Sequence, residues 1–212
     1  MVNIEKMALG PFQTNCYIVY DDEKNAVIID PAYNANVINK KLEDLNLNLK
    51  KILLTHAHPD HVGALYDIVE KDHVPVYLIS EDEEMLKTNS THFGPMLGMD
   101  MKDVTPDILL KDGDEITVGE MNFKTIHTPG HTEGSCCFLL NDKDLFSGDT
   151  LFYASMGRVD LPGGNEEHMM QSLLRLANMD KDIRVHPGHG PSTEIGKELR
   201  LNPYIQKAKG LW

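Results

Sequence analysis

The sequence contains few cysteines and no CxxC spacing. Its three cysteines are Cys16 and the neighbours Cys136 and Cys137. An odd number without paired spacing argues against a disulfide framework as the basis of the fold. Neighbouring residues on a strand face opposite sides of the sheet, so Cys136 and Cys137 are not expected to act together. We predict three reduced thiols packed on strands.

Long apolar runs are also missing. No stretch approaches the roughly 20 apolar residues that a helix needs to cross a bilayer, and residues 1–6 lack the basic and then apolar pattern of a signal peptide. The sequence has no linker, low-complexity segment or long block of charge. We therefore expect a cytoplasmic protein with no membrane partner, folded as one domain over residues 1–212.

Positive charge is scarce. Lysine and arginine number 20 against 33 acidic residues, which gives a formal net charge of −13 at pH 7. Such a surface repels a polyanion, so nucleic acid is not an expected partner. Two divalent cations would offset about four of these charges and would place positive potential where the acidic exterior has little.

The sequence does contain a dense group of candidate metal ligands directly after the apolar residues 52–54. They are His56, His58, Asp60 and His61. His56 and His58, two apart on an extended segment, project to the same side, and Pro59 disfavours a helical conformation at His58. The apolar spacing that follows predicts a helix over residues 62–71 with Asp60 as its N-cap. Imidazole and carboxylate groups without thiolate suit zinc, iron or manganese.

Three further polar corners follow apolar strands later in the chain. They lie at residues 128–131, 146–150 and 185–190, and their candidate ligands are His131, Asp149 and His189. Each corner places a His or Asp near glycine, which lets the backbone turn sharply and approach its neighbours closely. We predict that these corners supply the partners that the first cluster needs.

The order HxHxDH, then His, Asp and His, resembles the metallo-β-lactamase superfamily over nearly the whole chain. The resemblance implies two divalent metal ions, with zinc favoured over iron or manganese. It implies that one ion is held by His56, His58 and His131. The second ion would be held by Asp60, His61 and His189, and Asp149 would bridge both.

Hydrophobic periodicity by itself predicts an α/β protein. Strands and helices alternate in the first half, and strands dominate residues 108–146 before helices at 169–177 and 194–201. Residues 25–54 form a strand, helix, strand unit, and its second strand carries the ligand cluster at its carboxyl end, where α/β sheets usually bind ligands. The resemblance implies an αββα sandwich, in which two mixed β-sheets are flanked by helices.

Local residues indicate which branch of the superfamily the chain resembles. His58 stands where di-iron oxidases of this fold carry Glu, and no Cys accompanies Asp149. The run GDTLF at 148–152, followed by GRVD at 157–160, is similar to the thioester hydrolases and the persulfide dioxygenases. Together these features resemble glyoxalase II, the hydroxyacylglutathione hydrolase. The basic residues that hold glutathione in the helical domain of glyoxalase II have no counterparts before the chain ends at Trp212.

Other features allow two interpretations each. Arg158 can grip a substrate carboxylate with two parallel hydrogen bonds, or it can form a structural pair with Asp160. Asp30 also ends a strand, and we favour a turn cap over a contact with the metal ligands. The methionine-rich segment 88–107 either covers part of the site or packs on the core.

The predicted function is hydrolysis of a small-molecule thioester by a metal-bound hydroxide, which Asp60 and Asp149 would orient as catalytic residues. A thiolate departs without a strong acid because its conjugate pKa is only about 8.5. Two alternatives stay open, a mononuclear iron persulfide dioxygenase and a lactone or other ester hydrolase. A purely structural metal is disfavoured, because seven ligands exceed the four of a closed structural zinc site.

Overall fold

The computed structural model describes residues 1–211 and contains two six-stranded β-sheets. The first sheet follows chain order and comprises β1 (Asn3–Leu9), β2 (Thr14–Tyr20), β3 (Asn25–Ile29), β4 (Asn48–Leu53), β5 (Val76–Ile79) and β6 (Ile108–Leu110). Strands β1 to β3 pair antiparallel and β3 to β6 pair parallel, so the sheet is mixed.

The second sheet is mixed as well. Its first four strands are β7 (Glu115–Val118), β8 (Met121–His127), β9 (Cys136–Leu140) and β10 (Asp144–Gly148). A separate hairpin follows, formed by β11 (Leu151–Phe152) and β12 (Ser155–Met156). Strands β13 (Arg184–Pro187) and β14 (Thr193–Glu194) complete the sheet in the order β14-β13-β10-β9-β8-β7. Only the β10 and β13 pair is parallel among these described strands.

The helices flank the two sheets. Those of the first half are α1 (Ala35–Asp44), α2 (Pro59–Val62), α3 (Leu65–Asp72), α4 (Glu83–Lys87) and α5 (Phe93–Met96). Those of the second half are α6 (Glu166–Ala177), α7 (Ile195–Leu201) and α8 (Pro203–Ala208). No helix within residues 1–211 combines the length and the apolar character needed to cross a bilayer.

Three apolar layers hold these elements together. One lies between the two sheets, one joins the first sheet to α1 and α3, and one joins the second sheet to α6, α7 and α8. Strand β2 shows how a sequence builds two layers at once, because successive side chains point to opposite faces. Tyr17 and Val19 enter the layer between the sheets, whereas Cys16 and Ile18 enter the layer beneath the helices. The predicted αββα sandwich is confirmed.

The predicted helix over residues 62–71 is wrong in its start and its continuity. The chain forms two helices, α2 and α3, and His58 rather than Asp60 is the N-cap of α2. Proline suits the first helical position because its fixed φ is already helical and its missing N–H leaves no donor unpaired. Pro59 therefore starts the helix one residue before Asp60, and the Asp60 carboxylate is left to accept a hydrogen bond from Thr14.

Several short elements escaped the sequence analysis, among them the β11 and β12 hairpin and helix α8. The β11 and β12 hairpin has two residues in each strand, which is too few for an alternating pattern to be visible. Helix α8 did have a signal, because Asn202 accepts from the backbone of Tyr204 and Ile205 as an N-cap and Pro203 follows it.

Candidate metal centre

The seven predicted ligands lie just beyond the carboxyl ends of four strands. His56 to His61 follow β4, His131 follows β8, Asp149 follows β10 and His189 follows β13. Backbone hydrogen bonds join these ends, from Cys136 N to Thr55 O at 2.8 Å and from Gly188 N to Gly148 O at 2.8 Å. The structure therefore brings all seven side chains to one edge of the sandwich.

The side chains form two neighbouring sets of three. The first set is His56, His58 and His131, and the second is Asp60, His61 and His189. Within each set the potential ligand atoms lie within 4.8 Å of one another. His58 Nδ1 is 2.8 Å from His131 Nε2, and His189 Nε2 is 3.3 Å from Asp60 Oδ2. The grouping is the same as that of the two ligand sets that the resemblance implied, and the role of these residues as metal ligands stays a prediction.

Asp149 lies between the two sets. Its Oδ1 is 3.2 Å from His61 Nε2, and its Oδ2 is 3.5 Å from both His131 Nε2 and His189 Nε2. The side chain thus contacts one histidine of the first set and two of the second. Glycine at position 188 permits this arrangement, because a Cβ there would collide with Asp149 Oδ1 and would meet His61 Cε1 at 2.7 Å.

The unpaired atoms of the site match the requirements of metal ions. His56 Nε2, His58 Nε2, His61 Nε2 and Asp149 Oδ1 are buried without a hydrogen-bond partner. Buried polar atoms are paired in the large majority of cases, so such a concentration at one place needs an explanation. Imidazole nitrogens and carboxylate oxygens are the ligands that zinc, iron and manganese accept. The residues present therefore suit the two ions that the resemblance implied.

Among the five histidines of the two sets, all except His58 have an oxygen atom next to Nδ1. His61 Nδ1 lies 2.9 Å from Asp30 Oδ2, and His56 Nδ1 lies 3.1 Å from Thr55 Oγ1. His131 Nδ1 lies 2.7 Å from the Arg158 carbonyl oxygen and His189 Nδ1 lies 3.2 Å from that of Phe12. Such contacts fix the orientation of a ligating ring. They direct the four Nε2 atoms inward.

Asp30 has a different role from the one that the sequence favoured. Its carboxylate accepts hydrogen bonds from Thr55 N at 2.8 Å and Thr55 Oγ1 at 2.6 Å, besides contacting His61. The turn-cap interpretation is wrong, because Thr55 lies 25 positions from Asp30 and belongs to the corner that carries the ligands. Asp30 also lies within ligand distance of His56 and His61, but its oxygens are already occupied. It orients His61 and the backbone before His56.

The sequence analysis did not identify Asp82 as a residue of the site. Its buried carboxylate accepts hydrogen bonds from Ala57 N at 3.0 Å, Thr132 Oγ1 at 2.8 Å and Gly134 N at 2.8 Å. Ala57 lies between His56 and His58, and Thr132 follows His131. Asp82 therefore ties together the two loops that carry the first set. No local pattern marks this role, since the partners are distant in sequence.

Burial and neighbouring charges set the protonation of the ligands. Burial lowers the pKa of His56 well below its ordinary value and that of His58 to about 3. At His61 burial acts in the same direction, but the Asp149 and Asp60 carboxylates outweigh it and raise the pKa well above the usual value. The pKa of Asp60 falls to about 2, because His61 and the hydrogen bonds outweigh the effect of burial. Neutral imidazoles and ionised carboxylates are the forms that bind metals, so His56, His58 and Asp60 are already in the binding form, whereas His61 must first lose its proton.

A cleft of about 430 Å³ opens above the two sets. Five predicted ligands reach it, and the other lining residues are Phe12, Leu97, Phe152, Ser155, Met156, Arg158 and Leu161. Arg158 lies at the cleft and also forms the structural pair with Asp160, donating to both of its carboxylate oxygens at 2.6 and 2.7 Å.

Both interpretations of the methionine-rich segment 88–107 apply. Leu97 lines the cleft, and Met101 and Val104 pack on the core.

Three further histidines lie outside the two sets. His127 contacts the Glu133 carbonyl oxygen, and His186 contacts Asp144 and stacks on Phe146. His168 lies near the start of α6, away from the cleft lining. All three cysteines are free and buried, as predicted.

Residues 9–189 match the sequence profile of the metallo-β-lactamase superfamily. The chain belongs to this superfamily. Curated relatives in the superfamily match it over nearly their whole length. Hydroxyacylglutathione hydrolase GloC of Haemophilus influenzae is 37% identical over 96% of this chain and 98% of the relative. The probable metallo-hydrolase YqgX of Bacillus subtilis is 36% identical over 94% of this chain and 96% of the relative.

Solved structures of the metallo-β-lactamase superfamily have the same fold. The B3 metallo-β-lactamase BLEG-1 superposes with a TM-score of 0.89 at 36% identity, covering 96% of this chain and 99% of that one. TTHA1623 in a di-iron-bound form gives 0.86 at 36% identity, with 95% and 100% covered. ETHE1 from Myxococcus xanthus gives 0.80 at 26% identity, with 99% and 91% covered. The resemblance to the glyoxalase II-like members is confirmed.

Proposed function

We propose that this protein is a metal-dependent hydrolase of thioesters formed by small thiols. The observation that carries the proposal is the position of Asp149 between two sets of ligands, with both sets at the floor of an open cleft. A closed structural site has four ligands and no open position. Seven ligands beside a cavity suit two ions that share a substrate.

Two divalent ions in these sets would supply Lewis acidity toward the substrate carbonyl and a nucleophilic hydroxide at neutral pH. The chain itself orients the reactants. Thr14 Oγ1 donates to Asp60 Oδ2 at 2.9 Å, which turns that carboxylate toward His189. The Asp149 carboxylate is fixed by three histidines. Both carboxylates are therefore held rigidly where they can accept a hydrogen bond from an attacking water.

The side chains at the cleft suit a thiolate leaving group. Among residues 1–211, the cleft lining adds only Ser155 and Arg158 as polar side chains beyond the ligands, and neither is a strong acid. A thiolate needs no protonation to depart, since its conjugate pKa is about 8.5. The amine that leaves from an amide does need to be protonated. This comparison favours thioesters, and the similarity to GloC supports the same choice.

Metal content and turnover test the proposal together. We expect about two ions per chain, zinc or a mixture with iron, and hydrolysis of thioesters when a panel of thioesters, persulfides and lactones is assayed. His189→Ala should lower thioester turnover by at least about a hundredfold, because the second set loses a ligand. His168→Ala is the matched control, since His168 is an exposed histidine away from the cleft.

The same measurements separate the two alternatives. Oxygen uptake with a persulfide, retained in a His189→Ala protein that holds one iron, would identify a dioxygenase and refute the proposed hydrolase. Turnover of lactones without thioesters would identify the ester hydrolase. The di-iron form of TTHA1623 makes iron loading an essential arm of the assay, so each substrate is tested with zinc, iron and manganese.

A further inference from the structure

The β11 and β12 hairpin forms one of the apolar walls of the cleft. Phe152, Ser155 and Met156 line the cleft from its two strands, and the ring of Phe152 meets that of His189 edge-on, with 5.9 Å between the ring centroids. The hairpin pairs with neither six-stranded sheet and has two residues in each strand. Because a hairpin by itself is marginally stable at best in water, this wall needs support from other elements.

Glu198 on α7 supports the tip of the hairpin. Its side chain is fully buried, and its two carboxyl oxygens accept hydrogen bonds from Ala154 N at 2.8 Å, Asn202 Nδ2 at 2.9 Å and Thr193 Oγ1 at 2.6 Å. Ala154 lies at the tip with a φ of 52°, a left-handed conformation that residues other than glycine seldom adopt. The buried acceptor opposite its N–H stabilises the tip in that conformation.

Asn202, between α7 and α8, supports the strands of the hairpin. Its Nδ2 donates to the Ser155 carbonyl oxygen at 3.0 Å and to that of Phe152 at 3.4 Å. Its Oδ1 caps α8 by accepting from Tyr204 N at 3.0 Å and Ile205 N at 3.3 Å. The side chain is fully buried. One amide group thus joins the start of α8 to both strands of the hairpin.

On the basis of the proposed function, we propose that Glu198 and Asn202 position the hairpin as a substrate-binding wall of the cleft. The hairpin presents the Phe152 ring and the Met156 thioether to an apolar part of the substrate. Glu198 and Asn202 do not line the cleft themselves, and their side-chain hydrogen bonds go to the hairpin, to α8, to Thr193 and to each other. Both are positioning residues, which determine how tightly the substrate binds.

The first test measures KM and kcat of the metal-loaded protein with the thioester that the wild type hydrolyses most efficiently. Glu198→Ala removes the acceptor at the tip. Asn202→Ser removes the donor to the strands, and its hydroxyl can still cap α8. In each variant we expect KM to rise by about fivefold or more, the factor that partial loss of one apolar contact produces. The value of kcat should stay within about twofold, because such a contact binds the ground state and the transition state alike.

Glu198→Gln is the conservative variant. Its amide oxygen can accept from Ala154 N and Asn202 Nδ2, and its amide NH₂ can donate to the Thr193 hydroxyl, which accepts as well as donates. KM should therefore stay within about twofold of the wild-type value. Glu194→Ala is the matched control, because Glu194 is an exposed glutamate at the start of α7 whose side chain makes no capping hydrogen bond. Its KM should equal that of the wild type.

A second control separates positioning from a general loss of stability. Ile38→Val leaves a small cavity in the core beside α1 and destabilises the fold. Leu151 and Met156 of the hairpin belong to a different apolar layer, so KM should stay at the wild-type value in this variant although the urea midpoint falls. A KM that follows the urea midpoint across all variants would overturn the positioning role.

Hydrogen exchange tests the positioning without turnover. The Ala154 amide is bonded to Glu198 in the wild type, so amides of residues 151–156 should exchange at least about tenfold faster in Glu198→Ala and Asn202→Ser. They should exchange at the wild-type rate in Ile38→Val. Wild-type exchange of the hairpin in the first two variants would overturn the inference. Should Glu198→Ala fail to fold, Asn202→Ser and Glu198→Gln decide the question.

The outcomes distinguish this inference from the function on which it rests. If the wild type hydrolyses lactones or oxidises persulfides and no thioester, the proposed function fails, and KM for that other substrate together with hydrogen exchange still tests the role of Glu198 and Asn202. A fall in kcat and in metal content at unchanged KM would show that the two residues support the ligands, and it would overturn the substrate-binding role while leaving the hydrolase in place.

Discussion

At the scale of single residues, two buried carboxylates organise the site without belonging to either set of ligands. Asp30 holds Thr55 and the ring of His61, and Asp82 joins the loops of the first set. Partners of this kind fix the rotamers of ligands and commonly change metal affinity by tenfold to a hundredfold when they are lost. The positions of the ligand atoms therefore depend on side chains that do not themselves belong to the ligand sets.

Asp82→Ala should lower the free energy of unfolding by about 3 kcal/mol, because three buried donors lose their acceptor. Asp82→Asn keeps part of the acceptor capacity and should lose less. Urea unfolding measures both values, and metal content per chain should fall in parallel. Asp44→Ala is the control, since its exposed pair with Lys40 should contribute less than about 0.5 kcal/mol. Wild-type stability in Asp82→Ala would contradict the role assigned to this carboxylate.

At the scale of elements, α6 supports the loop that carries His131. Asn165 N donates to Gly130 O at 2.8 Å, and glycine is required at 130 because a Cβ there would meet the backbone of Met169 at 2.5 to 2.6 Å. The first turn of α6 thus packs directly against the residue before His131. Any loosening of that turn acts on the loop as well as on the helix.

Asn165→Ala should destabilise the protein by about 1 kcal/mol, because the N-cap side chain accepts from His168 N and alanine cannot. Asn178→Ala at the other end of α6 is the matched control. Its side chain only donates to the Leu174 carbonyl from an exposed position, so we expect a change of at most about 0.5 kcal/mol. Equal effects of the two substitutions in thermal or urea unfolding would show that the cap contributes nothing specific.

At the scale of the whole molecule, the two sheets bury thiols that the unfolded chain exposes. Burial raises the pKa of Cys137 to about 11, and it raises the pKa of Cys136 well above the ordinary value. A pKa that is higher in the folded state stabilises the fold below the unfolded value of about 8.5. That stabilisation is lost as the pH rises from there toward about 11.

The free energy of unfolding should therefore fall as the pH rises above about 8.5, by up to about 1.4 kcal/mol per pH unit for each such thiol. In Cys137→Ala the free energy of unfolding should fall less steeply over the same pH range, whatever its value at pH 7. Urea unfolding at several pH values between 7 and 10.5 gives both slopes. Identical slopes for the two proteins would mean that Cys137 ionises as easily in the fold as outside it.

Much of the fold and the candidate ligands were predictable from the sequence because their signals are local, whereas the division of the ligands into two sets was implied by the resemblance. The ligands His56 and His58 stand two apart after an apolar strand, and their chemistry is carried by residue type and spacing. The start of α2 was predicted wrongly although it too is local, because the preference of Pro59 for the first helical position outweighed that of Asp60 for the cap. Helix α8 was missed despite an Asn-Pro signal.

By itself, the sequence determined an α/β architecture, the candidate ligands and the absence of disulfide spacing, since periodicity and residue chemistry depend on neighbours along the chain. The αββα arrangement was implied by the resemblance to the superfamily and is confirmed by the fold. The tertiary structure alone decided which side chains orient the ligands. Asp82 and Thr132 are 50 positions apart and His189 and Phe12 are 177 apart, and nothing local specifies such contacts. The pairing of Arg158 with Asp160 was one of two local options, and only the packed cleft decided that this pair forms beside apolar walls.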